Sequence, residues 1–261
     1  MLVGASTSCF YPLVTEKSLA KVIDCGFKQA EVFFNSSSEL EDSFVLDMKK
    51  QADDAGVEIL SIHPFSSSLE NNCIFGEYQR RYDDFIGLYR QHCHACALLG
   101  AKYVVIHGSL AKQKRPLPPE HYFEKFRSLA EVGKEEGVIV CQENVNAFRS
   151  QSIDFLKQMR SALGKDFNMV FDVKQSIRAG YDPFEFLEEF KHDIVHVHLS
   201  DNSPEKDCMP PGRGNFDFAR LFRTLKGANY KGSYVIEIYS MGYDVSAELK
   251  RSKEFLDKIE V

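Results

Sequence analysis

The sequence lacks the excess of positive charge that nucleic-acid-binding proteins carry. Its 261 residues include 32 Lys and Arg against 38 Asp and Glu, which gives a formal net charge of −6. Proteins that hold nucleic acid by bulk electrostatics need the opposite sign. The composition therefore predicts that nucleic acid is not a partner, and the short basic run KQKR at 112–115 is typical of a solvated loop.

Long hydrophobic runs and a cysteine framework are also missing. No apolar stretch approaches the roughly 20 residues of a membrane helix, and the start, MLVGASTSCF, lacks the pattern of a signal peptide. We therefore predict a cytoplasmic protein that does not enter a membrane. The seven cysteines are an odd number without framework spacing, which predicts reduced thiols. HCHAC at 92–96 lies in a run with helical periodicity, so a buried helix face is favoured over a zinc site.

What the sequence does contain is a regular alternation of two patterns. Short runs rich in Val and Ile, mostly apolar on both parities as in strands buried on both faces, alternate with amphipathic helical runs. Two of the helical runs, 41–56 and 122–137, end in glycine, and 182–190 opens with Asp and Pro at its start. The predicted strands cover 2–7, 29–34, 58–63, 103–108, 138–143, 168–173, 194–199 and 234–239.

This alternation predicts an α/β fold, a single (β/α)8 TIM barrel that forms one domain over residues 1–261. No linker or change in composition marks a second domain. A doubly wound open sheet is the alternative, but no glycine-rich nucleotide fingerprint follows the first strand.

Polar residues fall where six consecutive strands end, and the carboxyl ends of the strands carry the active site in such barrels. A lone His or carboxylate there is typical of a cap or a surface group, but six in register are hard to explain in that way. The six are His63, His107, Glu143, Asp172, His198 and Glu237.

The last four of these residues can surround one ion, because neighbouring strands are about 4.8 Å apart. Three carboxylates and one imidazole suit Mn²⁺, Mg²⁺, Co²⁺ or Zn²⁺, and without a cation the carboxylates would repel one another. We therefore expect one divalent metal ion as the cofactor. His196 is expected to be a packed or hydrogen-bonded interior residue, and Asp201 to hold a neighbouring group or to cap the next segment.

The chain resembles the xylose-isomerase-like barrel superfamily over essentially its whole length. That group holds sugar-phosphate isomerases and epimerases, ketose 3-epimerases, inosose dehydratases and apurinic endonucleases of the endonuclease IV type. The resemblance rests on IHPF at 62–65, VIHGS at 105–109, CQEN at 141–144, FDVKQ at 171–175, VHVHLSD at 195–201 and VIEIY at 235–239.

The resemblance also implies roles. In ketose 3-epimerases the equivalents of Glu143, Asp172, His198 and Glu237 bind one divalent ion, and the two glutamates are the acid–base pair. One carboxylate removes a proton α to a carbonyl and the other returns it to the opposite face, while the metal stabilises the enediolate. Which glutamate is the base stays open. The substrate contacts that the resemblance implies are His63, His107, Gln175 and Arg213.

Three departures from the family pattern bear on the reaction. Gln175 stands where relatives often have a histidine, and SPEKDCMPP, after strand seven, lacks the histidine of the endonucleases' Asp-x-His pair, which counts against a trinuclear zinc site. Arg149 falls about where the epimerases have an acidic residue. It could meet a phosphate or acid group, or lie on the surface.

The sequence therefore predicts an isomerase or epimerase that acts on a sugar or sugar phosphate with a divalent metal ion. Its partner is then a small carbohydrate substrate, and barrels of this kind often associate into homo-oligomers. Three alternatives remain: an inosose-dehydratase-like lyase, an endonuclease IV-like phosphodiesterase, and a non-catalytic barrel that binds a carbohydrate or a partner.

Overall fold

The fold is a closed barrel of eight parallel strands in the order β1 to β8, with β1 paired to β8. The computed structural model describes residues 2–239 and 242–260. Each predicted strand is present within a few residues of its expected bounds, so the predicted (β/α)8 barrel is confirmed and the open sheet is excluded. The strands are β1 Gly4–Ser6, β2 Gln29–Phe33, β3 Glu58–His63, β4 Tyr103–Ile106, β5 Ile139–Glu143, β6 Met169–Asp172, β7 Ile194–Leu199 and β8 Ser233–Ile236.

Helices follow the strands around the outside of the barrel. The predicted start at Asp182 is confirmed, since its carboxylate accepts a hydrogen bond from the Phe184 N–H at 2.9 Å and Pro183 is the first helical residue. In the described part of the chain, no helix combines the length and the apolar character needed to cross a membrane. The α-helices are α1 Thr15–Asp24, α2 Asp42–Asp54, α3 Glu70–Cys73, α4 Gln79–Leu98, α5 Pro119–Glu135, α6 Ile153–Leu163, α7 Val173–Arg178, α8 Pro183–Phe190, α9 Phe218–Gly227 and α10 Val245–Asp257.

The strands are buried on both faces, which explains why both parities are apolar in the sequence. Their outer faces pack with the helices in one large hydrophobic cluster, and a smaller cluster contains Tyr103, Val105, Cys141 and Val170. All seven cysteines are free thiols, as predicted, and the two in HCHAC are buried on α4. Their burial agrees with the buried helix face that the sequence favours.

A buried glutamine, Gln142, ties the end of β5 to the end of β4, next to the polar residues His107 and Glu143. The Gln142 amide nitrogen donates towards the carbonyl oxygens of Ile106 and His107 at 3.1 and 3.0 Å, and its Oε1 accepts from the Tyr122 hydroxyl at 2.6 Å. Gly108 comes next, with φ +91°. A Cβ there would lie 2.0 Å from the Tyr122 oxygen, so only glycine fits beside this network.

We expect Gln142→Leu to lower the free energy of unfolding by about 2–4 kcal/mol, because it removes a hydrogen-bond partner from a buried hydroxyl and from buried carbonyl groups. Urea unfolding measures the loss. Gln91→Leu, on an exposed position of α4, is the matched control and should change stability by less than about 0.5 kcal/mol. Equal losses in the two variants would contradict a structural role for the Gln142 network.

Candidate active site and metal centre

Four of the predicted site residues meet at the carboxyl end of the barrel. Glu143 and Asp172 end β5 and β6, His198 lies in β7, and Glu237 follows β8. His198 Nδ1 lies 3.4 Å from Glu143 Oε1, 3.6 Å from Asp172 Oδ2 and 3.4 Å from Glu237 Oε2. One ligand atom from each residue lies within 4.8 Å of all the others. The structure thus brings together the set that the sequence assigned to one ion.

The chemistry of this cluster fits a divalent cation. His198 Nδ1 is buried and makes no hydrogen bond, although three carboxylates surround it. The other ring nitrogen, Nε2, lies 3.2 Å from Glu31 Oε2. A carboxylate on the second nitrogen is the usual support of a metal-binding histidine, and it leaves Nδ1 for the ion. Three carboxylates and one imidazole match the preferences of Mn²⁺, Mg²⁺, Co²⁺ and Zn²⁺.

Glu31 is a buried site residue that the sequence analysis missed. It lies on β2, which is not a neighbour of β7, so its contact with His198 crosses the barrel interior. Its carboxylate also accepts from the Ser61 hydroxyl at 2.8 Å and lies 3.2 Å from His196 Nε2. The other nitrogen of His196 lies 2.6 Å from the Ser233 hydroxyl, so His196 is a hydrogen-bonded interior residue, as expected.

The two glutamates are held as anions. Burial alone would raise the pKa of Glu143, but the adjacent rings of His107 and His198 hold it well below its usual value. Burial opposes ionisation of Glu237 too, and the charges of Lys174 and His198 keep its pKa low. Both side chains are therefore carboxylates at neutral pH and can accept a proton.

The pKa values of the other two members of the cluster, Asp172 and His198, are both raised, but for different reasons. Burial raises the pKa of Asp172, and the attraction of nearby cations offsets this only in part. For His198, burial favours the neutral ring, but the charges of Glu31 and Glu237 outweigh it and raise the pKa well above the usual value.

Lys174 is the second residue that the sequence analysis missed. It lies in the first turn of α7, is 1% exposed, and its ammonium donates to Asp172 Oδ2 and Glu237 Oε2. Burial would lower the pKa of Lys174, but these two carboxylates raise it well above the usual value. A lysine therefore stands among the carboxylates that the ion would use.

His63 and His107 lie beside the cluster. Their Nε2 atoms are 3.0 Å apart, and they lie 3.6 and 3.0 Å from Glu143 Oε2. With Glu143 they form a second set of three side chains whose ligand atoms are close enough to share an ion. Burial lowers the pKa of His63, but the Glu143 carboxylate outweighs it and raises that pKa overall.

A cavity of about 430 Å³ opens onto this cluster, within the size range of small-molecule sites. Its polar lining includes Glu143, Glu237, the two histidines, Lys174 and Gln175. Its aromatic lining comprises Tyr11, Phe33, Phe65 and Tyr239, and the Phe33 ring lies 5.0 Å from the His63 ring. A ligand that carries both hydroxyl groups and C–H surface is complementary to this mixed lining.

Of the other predicted substrate contacts, Gln175 lies in the cavity wall and Arg213 does not. Gln175 Oε1 accepts from the Asn146 N–H at 3.1 Å. The Arg213 guanidinium points to α10 and makes two hydrogen bonds of 2.8 Å to the Glu248 carboxylate. A substrate contact by Arg213 therefore stays a prediction.

The loop that carries Arg213 is held by Asp201, in agreement with the expected anchoring role. The Asp201 carboxylate accepts from the N–H groups of Gly212, Gly214 and Phe216 at 2.8 to 2.9 Å. This hydrogen bonding fixes the backbone on both sides of the arginine.

Arg149, weighed as a phosphate contact or a surface residue, is half-buried. Its guanidinium donates to the Leu117 carbonyl at 2.7 Å and lies 4.4 Å from the centre of the Phe155 ring. Its charge is thus engaged by backbone and an aromatic face.

A parallel eight-stranded barrel with a cluster of carboxylates and histidines at its carboxyl end defines the class of protein to which this chain belongs. The chain belongs to the family described as xylose isomerase-like TIM barrel, which it matches over residues 19–259. An inosose dehydratase of Clostridium botulinum is 24% identical over 255 residues, which cover 85% of this chain and 81% of that protein. An uncharacterised protein of Mycobacterium leprae is 24% identical over 261 residues, covering 90% and 88%.

Solved structures of similar fold include two sugar epimerases. The 3-keto-D-glucoside 4-epimerase of E. coli has a TM-score of 0.79 at 19% identity, with 98% of this chain and 99% of that chain covered. The D-psicose 3-epimerase of Clostridium cellulolyticum H10 also has a TM-score of 0.79, at 16% identity and 99% coverage of each chain. At these identities the likeness shows the fold.

We expect Glu31→Gln to weaken divalent-ion binding by about 10- to 100-fold, because the neutral amide supports His198 less well than a carboxylate does. Titration calorimetry with Mn²⁺ and Zn²⁺ measures the change. Glu58→Gln is the matched control, since Glu58 is an exposed residue at the opposite end of the neighbouring strand β3. Unchanged affinity in Glu31→Gln would contradict the supporting role.

Glu70 gives a prediction for the pH dependence of stability. Its buried carboxyl accepts from the Tyr89 hydroxyl and from the Gly108 N–H, next to His107. Burial raises the pKa of Glu70 to about 8, above its unfolded value. The protonated form therefore stabilises the fold fully below about pH 4.5, and this stabilisation is lost as the pH rises to about 8.

We expect Glu70→Gln, which cannot ionise, to lose less stability than the wild type between about pH 5 and 9. Urea unfolding at several pH values measures the difference. Glu77→Gln, at an exposed position, should follow the wild-type profile. Parallel profiles for the wild type and Glu70→Gln would show that Glu70 does not titrate in this range.

Proposed function

We propose that this protein is a divalent-metal-dependent isomerase or epimerase that moves a proton α to a carbonyl of a sugar or sugar phosphate. The observation that carries the proposal is the placement of Glu143 and Glu237. Their carboxylates come from strands separated by two others, each lies 3.4 Å from His198 Nδ1, and both line the cavity. Two carboxylates that flank a bound substrate suit proton removal and return.

The ion would be held by Glu143, Asp172, His198 and Glu237. When bound, it supplies positive charge beside the substrate oxygens, which stabilises the enediolate. One glutamate takes the proton from the carbon next to the carbonyl and the other returns a proton from its own side. Both are ionised in the ion-free protein, so either can be the first acceptor.

The other polar residues of the cavity would bind and orient the substrate. His63 and His107 present ring nitrogens beside Glu143, where they can hydrogen-bond to substrate hydroxyl or carbonyl oxygens. Gln175 offers an amide on the same wall. The aromatic residues of the cavity would cover the apolar face of a sugar ring and limit the access of water. The sugar epimerases among the structural neighbours support this class of substrate.

A lyase is the second candidate, and the similarity to inosose dehydratases supports it. Its first step is the same: a carboxylate removes a proton α to a carbonyl. The two reactions then diverge, because a lyase expels the hydroxyl on the next carbon as water, whereas an epimerase returns a proton. The same cluster can therefore serve both, and the product distinguishes them.

We expect the metal-loaded wild type to exchange substrate α-protons with D₂O, and Glu143→Gln and Glu237→Gln each to slow the exchange by about 10²- to 10⁴-fold. NMR on a panel of ketoses, inososes and their phosphates measures the rate. Bound metal is determined in parallel, so that a loss of proton transfer is separated from a loss of the ion. Glu124→Gln, on an exposed position of α5, is the control.

The outcomes separate the candidates. A product of the same mass as the substrate supports the isomerase, and a product lighter by one water supports the lyase. Exchange at the wild-type rate in both glutamine variants would refute proton transfer by these carboxylates. Ligand binding without exchange by the wild type would favour the non-catalytic barrel.

A further inference from the structure

The strongest unassigned feature of the molecule is the lysine inside the acidic cluster. Its ammonium donates to Asp172 Oδ2 and Glu237 Oε2, the same two oxygens that lie 3.6 and 3.4 Å from His198 Nδ1. We propose that Lys174 is a built-in counter-ion that competes with the divalent ion, so that ion binding displaces the ammonium into the cavity. This inference rests on the metal site of the proposed function.

The competition follows from shared ligand atoms. A divalent ion in this cluster would lie about 2.0–2.2 Å from its carboxylate oxygens. An ammonium that keeps its hydrogen bonds to two of those oxygens would be within a few ångströms of the ion. Two cations at that distance in a buried site repel each other strongly. The ion and the ammonium therefore cannot both hold Asp172 Oδ2 and Glu237 Oε2.

The cavity beside Lys174 offers space for the displaced ammonium. Lys174 lines the cavity, and its Nζ lies 5.9 Å from the centre of the Tyr239 ring. Among the described residues that line this cavity, Lys174 is the one Lys or Arg. Its long side chain can rotate away from Asp172 and Glu237 and keep its charge beside the Tyr239 ring. There it faces the space that a substrate fills.

The charges of the cluster set the direction of the effect. Glu31, Glu143, Asp172 and Glu237 are buried, and Lys174 contacts two of them. Replacing the lysine with methionine removes the resident cation and leaves two buried carboxylates without it. The ion-free protein becomes less stable, and the divalent ion binds without having to displace a charge.

The test is titration calorimetry of ion-stripped protein with Mn²⁺ and with Zn²⁺. We expect Lys174→Met to bind on the order of tenfold tighter than the wild type, and the ion to raise its melting temperature by more. Lys191→Met, which breaks a surface pair with Glu188, makes the same charge change elsewhere and should bind like the wild type.

Equal or weaker binding by Lys174→Met, with one ion in the wild type, would overturn the competition and leave the proposed reaction untouched. Absence of binding in both proteins would remove the ion from this site, and the proposed reaction and the competition would fall together. Turnover is not needed for either outcome.

A second measurement uses the wild type alone, so it does not depend on the folding of a variant. Lysine acetylation is followed by peptide mass spectrometry with and without Mn²⁺, with Lys191 as the internal reference. We expect slow modification of the buried Lys174 in ion-free protein and faster modification once the ion has moved it into the cavity. A rate that the ion leaves unchanged or lowers would overturn the displacement.

Discussion

The burial of four carboxylates at one end of a barrel is the constraint on which the site depends. Glu31, Glu143, Asp172 and Glu237 lie close together away from water, and none of them is stable there as an unopposed anion. The fold supplies opposing charge from different strands. His198 lies between the carboxylates, with Nε2 next to Glu31 and Nδ1 next to Glu143. The strand order, more than any single residue, brings these charges into contact.

The fold could be predicted from the sequence because strands buried on both faces leave a strong local signal. The run 194–199 is Ile, Val and Leu apart from His196 and His198, and it became β7 with the same bounds. The ends of the strands could be predicted less well than the strands themselves. β4 stops at Ile106 and β8 at Ile236, one residue before His107 and Glu237. Hydrogen-bonding register decides such ends, and the sequence does not state the register.

The site could be predicted where a residue type and its position at a strand end act together. Glu31 was missed although it carries a signal, a carboxylate in the middle of an apolar strand, because its partner His198 lies 167 residues away. Lys174 had a weaker signal, since a flexible side chain two residues after a strand points in no predictable direction. Arg213, in contrast, was singled out from the sequence. Its glycine neighbours indicated a loop, but the direction of its side chain depends on Glu248 in a distant helix.

The fate of the carbanion is what separates the two candidate reactions, and the common fold does not determine it. Once a carboxylate has removed the α-proton, an epimerase needs a proton donor at the same carbon, and a lyase needs one at the neighbouring hydroxyl. His63 and His107, whose ring nitrogens are 3.0 Å apart, lie beside Glu143, and Glu237 lies 3.4 Å from His198 Nδ1. A substrate whose leaving hydroxyl meets that histidine pair favours elimination, and one whose α-carbon meets both glutamates favours epimerisation. For either candidate reaction, the orientation of the substrate in the cavity would therefore select the outcome.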